Sequence, residues 1–420
     1  MRVLVIGQGG REHALCWKLA QSKEIEQLYC APGNPGIAQS ATLVPIAVDA
    51  IDDLVQFVCE EKIDFTVVGP ELPLSLGIVD RLRQHGKIVF GPTKAAAQLE
   101  ASKSFSKEIM RAAGVSTAES VTVMNRQQAE EELKRLGLPI VFKADGLAAG
   151  KGVFVCLDLE QAEFAIETLY SGGAEETVVI EQFLEGREAS LIVATDGKRV
   201  IPLVPSNDYK RVGEGDTGLN TGGMGTISPT AHLNQQQFDS AVQQIIIPVL
   251  KKMAERETPF SGFLYAGLMI GPQGEVNCLE FNARLGDPET QVILRRLESD
   301  LLPILYQLAL GDSSHIEEPR WSNDVAVCVV QAAHGYPAEV RKGDLISGIK
   351  EAESVAEVVV FQAGTALNNN GELCSAGGRV LNVTAVGKSI DEARQRAYQG
   401  CQRVVFLGQH YRRDIGGPIA

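Results

Sequence analysis

Short apolar runs alternate with helically spaced apolar positions through the first hundred residues. Residues 3–6, 65–68 and 88–90 read as buried strands, the last two ending in Gly69-Pro70 and Gly91-Pro92. Residues 12–20 carry helical spacing, and strands alternating with helices predict a parallel sheet with helices on both faces. A longer helical pattern spans 94–113 and stops at Gly114, a residue suited to a C-cap. Beyond it the order is helix 127–136, strand 139–143, a glycine-rich loop, strand 153–157, helix 159–170 and strand 177–182. Residues 189–205 read as a hairpin turning at Asp196-Gly197, a favoured two-residue turn. Helix 235–256 then precedes a second hairpin, 263–281, turning around Gly271 to Gly274, and helix 289–310 follows. Segment 312–323 is acidic, contains Pro319 and lacks periodicity, so it reads as a linker. Strands 325–332, 357–361 and 379–384 and helix 390–405 form a separate α+β domain.

With 420 residues the chain has room for roughly two to four domains. Hydrophobic residues make up 45 % and charged residues 22 %, which suits a buried core inside a soluble surface. The formal charge is −14, from 39 basic and 53 acidic residues, with no basic run. That argues against nucleic acid or an anionic membrane as partner and leaves room for a local phosphate pocket. The apolar part of residues 1–7 is too short for a signal peptide, and no apolar stretch approaches the ~20 residues needed to span a bilayer. Eight scattered cysteines without a C-x-x-C pair read as reduced thiols of a cytoplasmic protein.

Four stretches carry candidate chemistry. Gly7-Gln8-Gly9-Gly10-Arg11-Glu12 lies between a strand and a helix, where backbone amides favour an anion. A dinucleotide fingerprint needs glycine where Glu12 stands, so anion binding, NAD binding and a plain tight turn all remain open. Lys143-Ala144-Asp145-Gly146 through Gly150-Lys151-Gly152 is not a Walker A loop, because three residues separate Gly146 from Gly150 and Gly152 replaces Ser/Thr. A glycine loop flanked by two lysines suits a flap over triphosphate, with a structural hairpin loop as the alternative. In Glu280-Phe281-Asn282-Ala283-Arg284, strand alternation puts Glu280 and Asn282 on one face, as a hard cation bridging phosphates requires. Arg284 continues on that face, toward charge on a transferring phosphoryl group. A hydrophilic edge-strand face has the same pattern. The polar, glycine-rich loop from Ser206 to Gly225 suits either a small phosphorylated ligand or solvent.

Taken together, the stretches GGREHAL, VGPELPL (68–74), FKADGLAAGKGV (142–153), NTGGMG (220–225), GFLYAGLM (262–269), LEFNARLGDPETQ (279–291) and GGRVLNVTAVG (377–387) resemble the phosphoribosylamine–glycine ligases, or glycinamide ribonucleotide synthetases. The resemblance runs over essentially the whole chain. It implies an ATP-grasp enzyme of purine synthesis in three parts: an N-terminal parallel α/β domain (1–101), a central ATP-grasp domain (102–311) with a mobile lid (about 117–187), and, after the 312–323 linker, a small α+β domain (324–420). It implies ATP and Mg²⁺ or Mn²⁺, glycine and 5-phosphoribosylamine as small-molecule partners, and a monomer or weak homo-oligomer.

By the same resemblance Lys103 and Lys143 meet phosphates, Asp145, Gly146, Gly150, Lys151 and Gly152 belong to the ATP flap, and Glu181, Gln182, Phe183, Leu184 and Glu188 hold adenine and ribose. Glu280 and Asn282 take the metal, and Lys143 and Arg284 are catalytic. Gly9, Gly10, Arg11, Asp208, Lys210, Gly222, Gly223, Met224, Arg284, Asp287, Pro288 and Glu289 surround the phosphoribosyl and glycine moieties. The chain departs from the family pattern at Asn207, Tyr209, Leu219, Thr226 and Ile227, all around one substrate loop. Residues 262–270 also lack the acidic ligand that many ATP-grasp enzymes place on this strand, so a second metal would lean on ATP and water.

Overall fold

The computed structural model describes residues 1–147, 152–171 and 176–417. The N-terminal part runs β1 (Arg2–Gly7), α1 (Gly10–Leu19), β2 (Gln27–Pro32), β3 (Thr42–Leu43), α2 (Ile51–Glu60), β4 (Phe65–Val68), α3 (Glu71–Leu76), α4 (Ile78–Gln84) and β5 (Ile88–Phe90). Its sheet is parallel with order β3-β2-β1-β4-β5. Alternation divides β1 between two cores: Leu4 and Ile6 pack into one, Val3 and Val5 into the other. Strand order reverses beside β1, so the crevice beyond β1 and β4 is the switch point where such sheets bind ligands.

Glu12 fills part of that crevice. Gly9 N–H donates to its carboxylate at 2.7 Å. A Cβ at Gly7 would stand 2.2 Å from Glu12 Cγ, and one at Gly69 would stand 2.2 Å from Glu12 Oε1. These glycines make room for a buried carboxylate.

The helical pattern over 94–113 is two helices, α5 (Gln98–Ala101) and α6 (Lys103–Ala112), broken at Ser102. Ser102 is extended, and its hydroxyl caps α6 by accepting Phe105 N–H at 3.1 Å. Gly114 closes α6 at φ +69°. Next come β6 (Ser120–Val123), α7 (Arg126–Leu136), β7 (Ile140–Ala144), β8 (Val153–Cys156), α8 (Leu159–Leu169) and β9 (Val178–Gln182). They form an antiparallel sheet, β6-β9-β7-β8, with its own core around Ile140, Phe142, Ile166 and Ile180.

Two hairpins build the second central sheet: β10 (Arg187–Thr195) with β11 (Val200–Pro202), then, further along the chain, β16 (Gly262–Ile270) with β17 (Val276–Asn282), in order β11-β10-β16-β17. The first turn is longer than its Asp-Gly pair suggests. Thr195 pairs with Val200, and Asp196 Oδ1 accepts the N–H groups of Lys198 and Arg199 at 2.9 and 2.7 Å, making a four-residue Asx-capped loop.

Between the hairpins lie β12 (Asn207–Asp208), a ribbon of β13 (Arg211–Gly213) and β14 (Thr217–Asn220), β15 (Gly225–Ser228), α9 (Gln235–Ala241) and α10 (Ile247–Glu255). The 206–225 segment is therefore not a plain loop. A π-turn at Val242–Ile246 joins α9 to α10, where Pro248 lacks the N–H that an α-turn would use. The 289–310 helix is likewise two, α11 (Glu289–Arg296) and α12 (Leu301–Leu310), the latter capped by Asp300.

The final part comprises β18 (Val325–Ala332), α13 (Ile349–Glu353), β19 (Val358–Gln362), the ribbon β20 (Thr365–Leu367) with β21 (Leu373–Ser375), β22 (Arg379–Gly387) and α14 (Ile390–Arg403). Its sheet, β12-β15-β18-β22-β19, recruits two strands from the 206–225 region. Segment 312–323 is fastened down: Ile316 is buried, Trp321 bridges to Leu297, and Arg199 bonds the carbonyls of Ser313 and Ile316.

The first and last parts meet at His13. Its Nδ1 accepts Gln362 N–H at 2.8 Å, its ring packs edge-on to Phe361, and Asn34 Nδ2 donates to the Gln8 and Gln362 carbonyls. Burial lowers the His13 pKa from 6.5 to about 4. The unfolded chain therefore takes up a proton that the folded chain refuses, so stability is full above about pH 6.5 and falls toward pH 4. Between pH 7 and 5, urea unfolding of the wild type should show a stability loss about 2 kcal/mol larger than that of His13→Gln. Equal losses in the two proteins would remove His13 from this role.

Candidate active site

A cavity of about 680 Å³ opens where all these parts converge. On one side it is walled by α6, the β6–β9 sheet and β17. Lys103 and Lys107, one turn apart on α6, both face it. Glu181, at the end of β9 and almost fully buried, sits between two ammonium groups: Lys143 Nζ at 3.0 Å and Lys107 Nζ at 3.1 Å. Lys143 also reaches the Leu279 carbonyl at 3.4 Å, where β17 bulges between Cys278 and Glu280. Burial lowers the pKa values of Lys103 and Lys107, with Glu280 and Glu181 respectively opposing. Gly146, Gly152, Gln182, Phe183, Leu184 and Glu188 line the same side. Gly150 and Lys151 lie outside the described residues.

Asp145 does not line the cavity. Its carboxylate caps α6, taking Lys103 N–H at 2.5 Å, Ser104 N–H at 3.3 Å and the Ser104 hydroxyl at 2.5 Å. Lys103 Nζ returns the tie by donating to the Gly146 carbonyl at 2.8 Å. The root of the glycine loop is thereby pinned to the helix that carries two of the site's lysines.

Glu280 and Asn282 line the cavity floor. Burial opposes ionisation of Glu280, but Lys210, Lys143, Lys103 and Arg284 hold its pKa below the usual range. Its carboxylate takes no hydrogen bond from any described residue, and Asn282 Oδ1 has a long 3.3 Å contact from Arg284. Among the described residues no cluster of three or more His, Cys, Asp or Glu could hold a metal. A two-ligand site completed by phosphate oxygens and water is how Mg²⁺ is commonly held, so these oxygens fit a hard cation.

Arg284 lines the cavity and is held by two carboxylates. Its guanidinium lies 2.7 Å from Glu100 Oε1 and 3.3 Å from Glu71 Oε2. Burial works against its charge, and Glu100 and Glu71 more than offset it.

The other end of the cavity is a mixed-charge pocket. Arg379 from β22 bonds the Gly222 and Asp287 carbonyls and lies 3.6 Å from Asp287 Oδ2, while Arg11 N–H approaches that carboxylate at 3.4 Å. Burial disfavours the Asp287 anion, yet Arg379 and Arg11 keep its pKa low. Burial and Glu289 raise the pKa of Asp208, whose Oδ1 has no hydrogen-bond partner among the described residues. Glu289 accepts Ser190 Oγ–H at 3.1 Å, and Lys210 pairs with Glu188 at 2.7 Å.

Gly9, Gly10, Gly223, Met224 and Pro288 stand behind this wall. Gly10 abuts Asn382 and Gln291, Gly223 is wedged between Asp208 and Pro288, and Met224 is fully buried. Sequence reasoning missed Lys107, Glu71, Glu100 and Arg379. The i, i+4 spacing from Lys103 was the available signal for Lys107, and Glu71 and Arg379 stood inside quoted motifs.

An antiparallel sheet carrying Lys143, beside a second sheet that offers Glu280 and Asn282 and a helix that offers Lys103 and Lys107, defines an ATP-grasp ligase. Enzymes of that class use ATP and a divalent metal. A biotin carboxylase from Campylobacter jejuni shares this fold at TM-score 0.74 and 14 % identity, over 99 % of this chain and 94 % of that one. Family models narrow the class: phosphoribosylglycinamide synthetase N domain (1–100), ATP-grasp (A) domain (101–290) and C domain (326–418) all match. A phosphoribosylamine–glycine ligase from Synechocystis sp. is 48 % identical over 418 residues, covering 99 % of each chain. The crystal structure of phosphoribosylamine–glycine ligase from Thermotoga maritima superposes at TM-score 0.84 with 34 % identity, over 99 % of this chain and 100 % of that one. The chain belongs to the phosphoribosylglycinamide synthetase family, ATP-dependent ligases of purine biosynthesis.

Asp145→Ala removes the acceptor shared by three groups at the start of α6. It should cost about 1–2 kcal/mol of stability in urea unfolding, as loss of a helix cap does. Unchanged stability would mean that Ser102 alone caps the helix.

Proposed function

We propose that the chain joins glycine to 5-phosphoribosylamine through glycyl phosphate, consuming ATP and releasing glycinamide ribonucleotide, ADP and phosphate. The observation that carries this reading is the two-ended cavity. Lysines and the Glu280–Asn282 carboxylate–amide pair lie at one end, and a mixed-charge pocket walled by three domains lies at the other. The lysine end suits a triphosphate, and the mixed-charge end suits an amino acid and a sugar phosphate. Lys103 and Lys143 take phosphates, Gln182, Phe183, Leu184 and Glu188 hold adenine and ribose, and Asp208, Lys210, Asp287, Glu289 and Arg379 surround the two smaller substrates.

A carboxylate resists amines because its own charge repels them and oxide is a poor leaving group. A glycine oxygen attacks the γ-phosphorus, the bond to the β-phosphate oxygen breaks, and ADP departs. The amine nitrogen then attacks the carbonyl carbon, and phosphate leaves carrying that glycine oxygen. Positioning and charge neutralisation supply most of the acceleration. Glu280 and Asn282 would hold Mg²⁺ or Mn²⁺, which when bound neutralises phosphate charge. The lid sheet has a core of its own, which suits closure over ATP and exclusion of water from the acyl phosphate.

No helix among the described residues is long and apolar enough to cross a membrane, and all eight cysteines are unpaired, which supports a cytoplasmic setting.

With glycine labelled by ¹⁸O in its carboxylate, one labelled oxygen should appear in the released phosphate, and ADP release should require glycine. Unlabelled phosphate alongside genuine amide would overturn the acyl-phosphate route. Activity with another acid but not glycine would change the substrate pair. Glu280→Gln should lower kcat by at least about 100-fold while leaving the melting temperature nearly unchanged. Near-normal turnover of that variant at limiting metal would clear Glu280 of metal binding.

A further inference from the structure

The β13–β14 ribbon overhangs the mixed-charge end of the cavity, where Arg211, Asp216 and Asn220 line the wall. Its backbone pairing is short and interrupted, with register contacts at Arg211–Asn220 and Gly213–Thr217. Two strands of three and four residues do not hold a position by themselves. What holds this ribbon is a segment nearly two hundred residues further along the chain.

His410 Nε2 donates to the Val212 carbonyl at 2.8 Å, and Arg413 N–H donates to Glu214 Oε1 at 3.2 Å. Asp414 Oδ2 accepts Gly215 N–H at 2.8 Å. At the centre is Arg412, whose side chain is 1 % exposed. Its Nη1 donates to the Arg211 carbonyl at 3.0 Å and to Asp216 Oδ1 at 2.7 Å. Nε and Nη2 form a fork onto Asp414 at 2.8 and 2.6 Å. The guanidinium also lies over the Tyr209 ring, 5.1 Å from its centroid, while the Tyr209 hydroxyl accepts Gly416 N–H at 3.1 Å. A planar fork with five N–H groups can serve both carboxylates and a carbonyl at once, which a lysine ammonium cannot do in one plane.

We propose that Arg412 is a positioning residue for the ligase reaction, strapping the β13–β14 ribbon over the substrate end and thereby setting affinity for the phosphorylated amine. The inference rests on the proposed function for its substrate, and the amine is chosen because the ribbon adds Arg211 beside Lys210 at that end. Arg412 does not line the cavity and makes no contact with Lys103, Lys107 or Lys143, so ATP binding should not depend on it.

Arg412→Ala empties a buried charge site and can unfold the domain, so Asp216→Asn serves beside it, cutting the ribbon side while leaving the Arg412–Asp414 fork. In both variants KM for phosphoribosylamine should rise about ten-fold or more, with KM for ATP within about two-fold of wild type. Hydrogen exchange of amides 211–220 should quicken while that of α14 stays unchanged. An equal rise in KM for ATP, a rise confined to glycine, or unchanged exchange in folded Asp216→Asn protein would overturn the proposal. If the wild type makes no ADP from glycine and phosphoribosylamine, the functional reading fails, and the exchange experiment still decides whether the strap exists.

Discussion

Arg284 carries its charge half-buried at the cavity wall, and carboxylates on two other elements answer it. Glu71 opens α3 beside the parallel sheet, and Glu100 lies on α5. Arg284 itself follows β17 by two residues. Glu100 spends its second oxygen on Ala283 N–H at 2.8 Å, so the guanidinium and the backbone next to it are gripped together. Breaking a buried pair by removing one partner costs on the order of 3–5 kcal/mol, because the remaining charge is left uncompensated. That penalty fixes the end of β17 against the N-terminal sheet, and with it the direction in which Glu280 and Asn282 point.

Two carboxylates set in glycine-rich stretches tie down the backbone of the site. Glu12 occupies the space that a dinucleotide fingerprint would keep open with glycine, and Gly7, Gly9 and Gly69 accommodate its carboxylate. Asp145 sits in a glycine loop whose composition suggests phosphate, yet its oxygens answer the free N–H groups at the start of α6. In both cases a carboxylate satisfies a helix N-terminus. Composition marks such a terminus as an anion site without saying whether the anion belongs to the ligand or to the protein.

The strands were legible wherever an apolar run was bounded by turn residues, as in β4, β5 and the β16–β17 hairpin. The helices α1, α5–α12 and α14 were legible, whereas α2, α3, α4 and α13 were not, and neither was helix continuity. Ser102, Pro248 and the stretch around Asp300 interrupt patterns whose apolar spacing survives the break, since the helices on each side bury the same face. β12 and β15 were hidden because two-residue and glycine-containing strands have no period to detect, and their partner β18 lies about a hundred residues later. Glu280 and Asn282 were legible because they lie two apart on one strand, whereas Lys103 and Lys143 came only through the family resemblance and Lys107, one turn from Lys103, was missed. Arg379, Glu71 and Glu100 come from separate elements, and nothing local distinguishes them from surface charges.

Among the described residues, the lysines of that end are engaged in this structure: Lys143 and Lys107 with Glu181, and Lys103 with the Gly146 carbonyl. Under the proposed reaction, phosphate oxygens must take Lys143 and Lys103 from partners they already have. The desolvation cost of those ammonium groups has been met before ATP arrives, so binding exchanges one anionic or dipolar partner for another. Lys107 matters for the reverse side of that exchange. When Lys143 turns to phosphate, Glu181 would be left as a buried carboxylate alone, but Lys107 stays within 3.1 Å, itself anchored to Thr117 at 2.7 Å. A near-balanced exchange spends little binding energy on the ground state, and interactions that strengthen as charge develops on the transferring phosphoryl group are the ones that raise kcat. It also lets ADP leave, because the lysines have internal partners to return to.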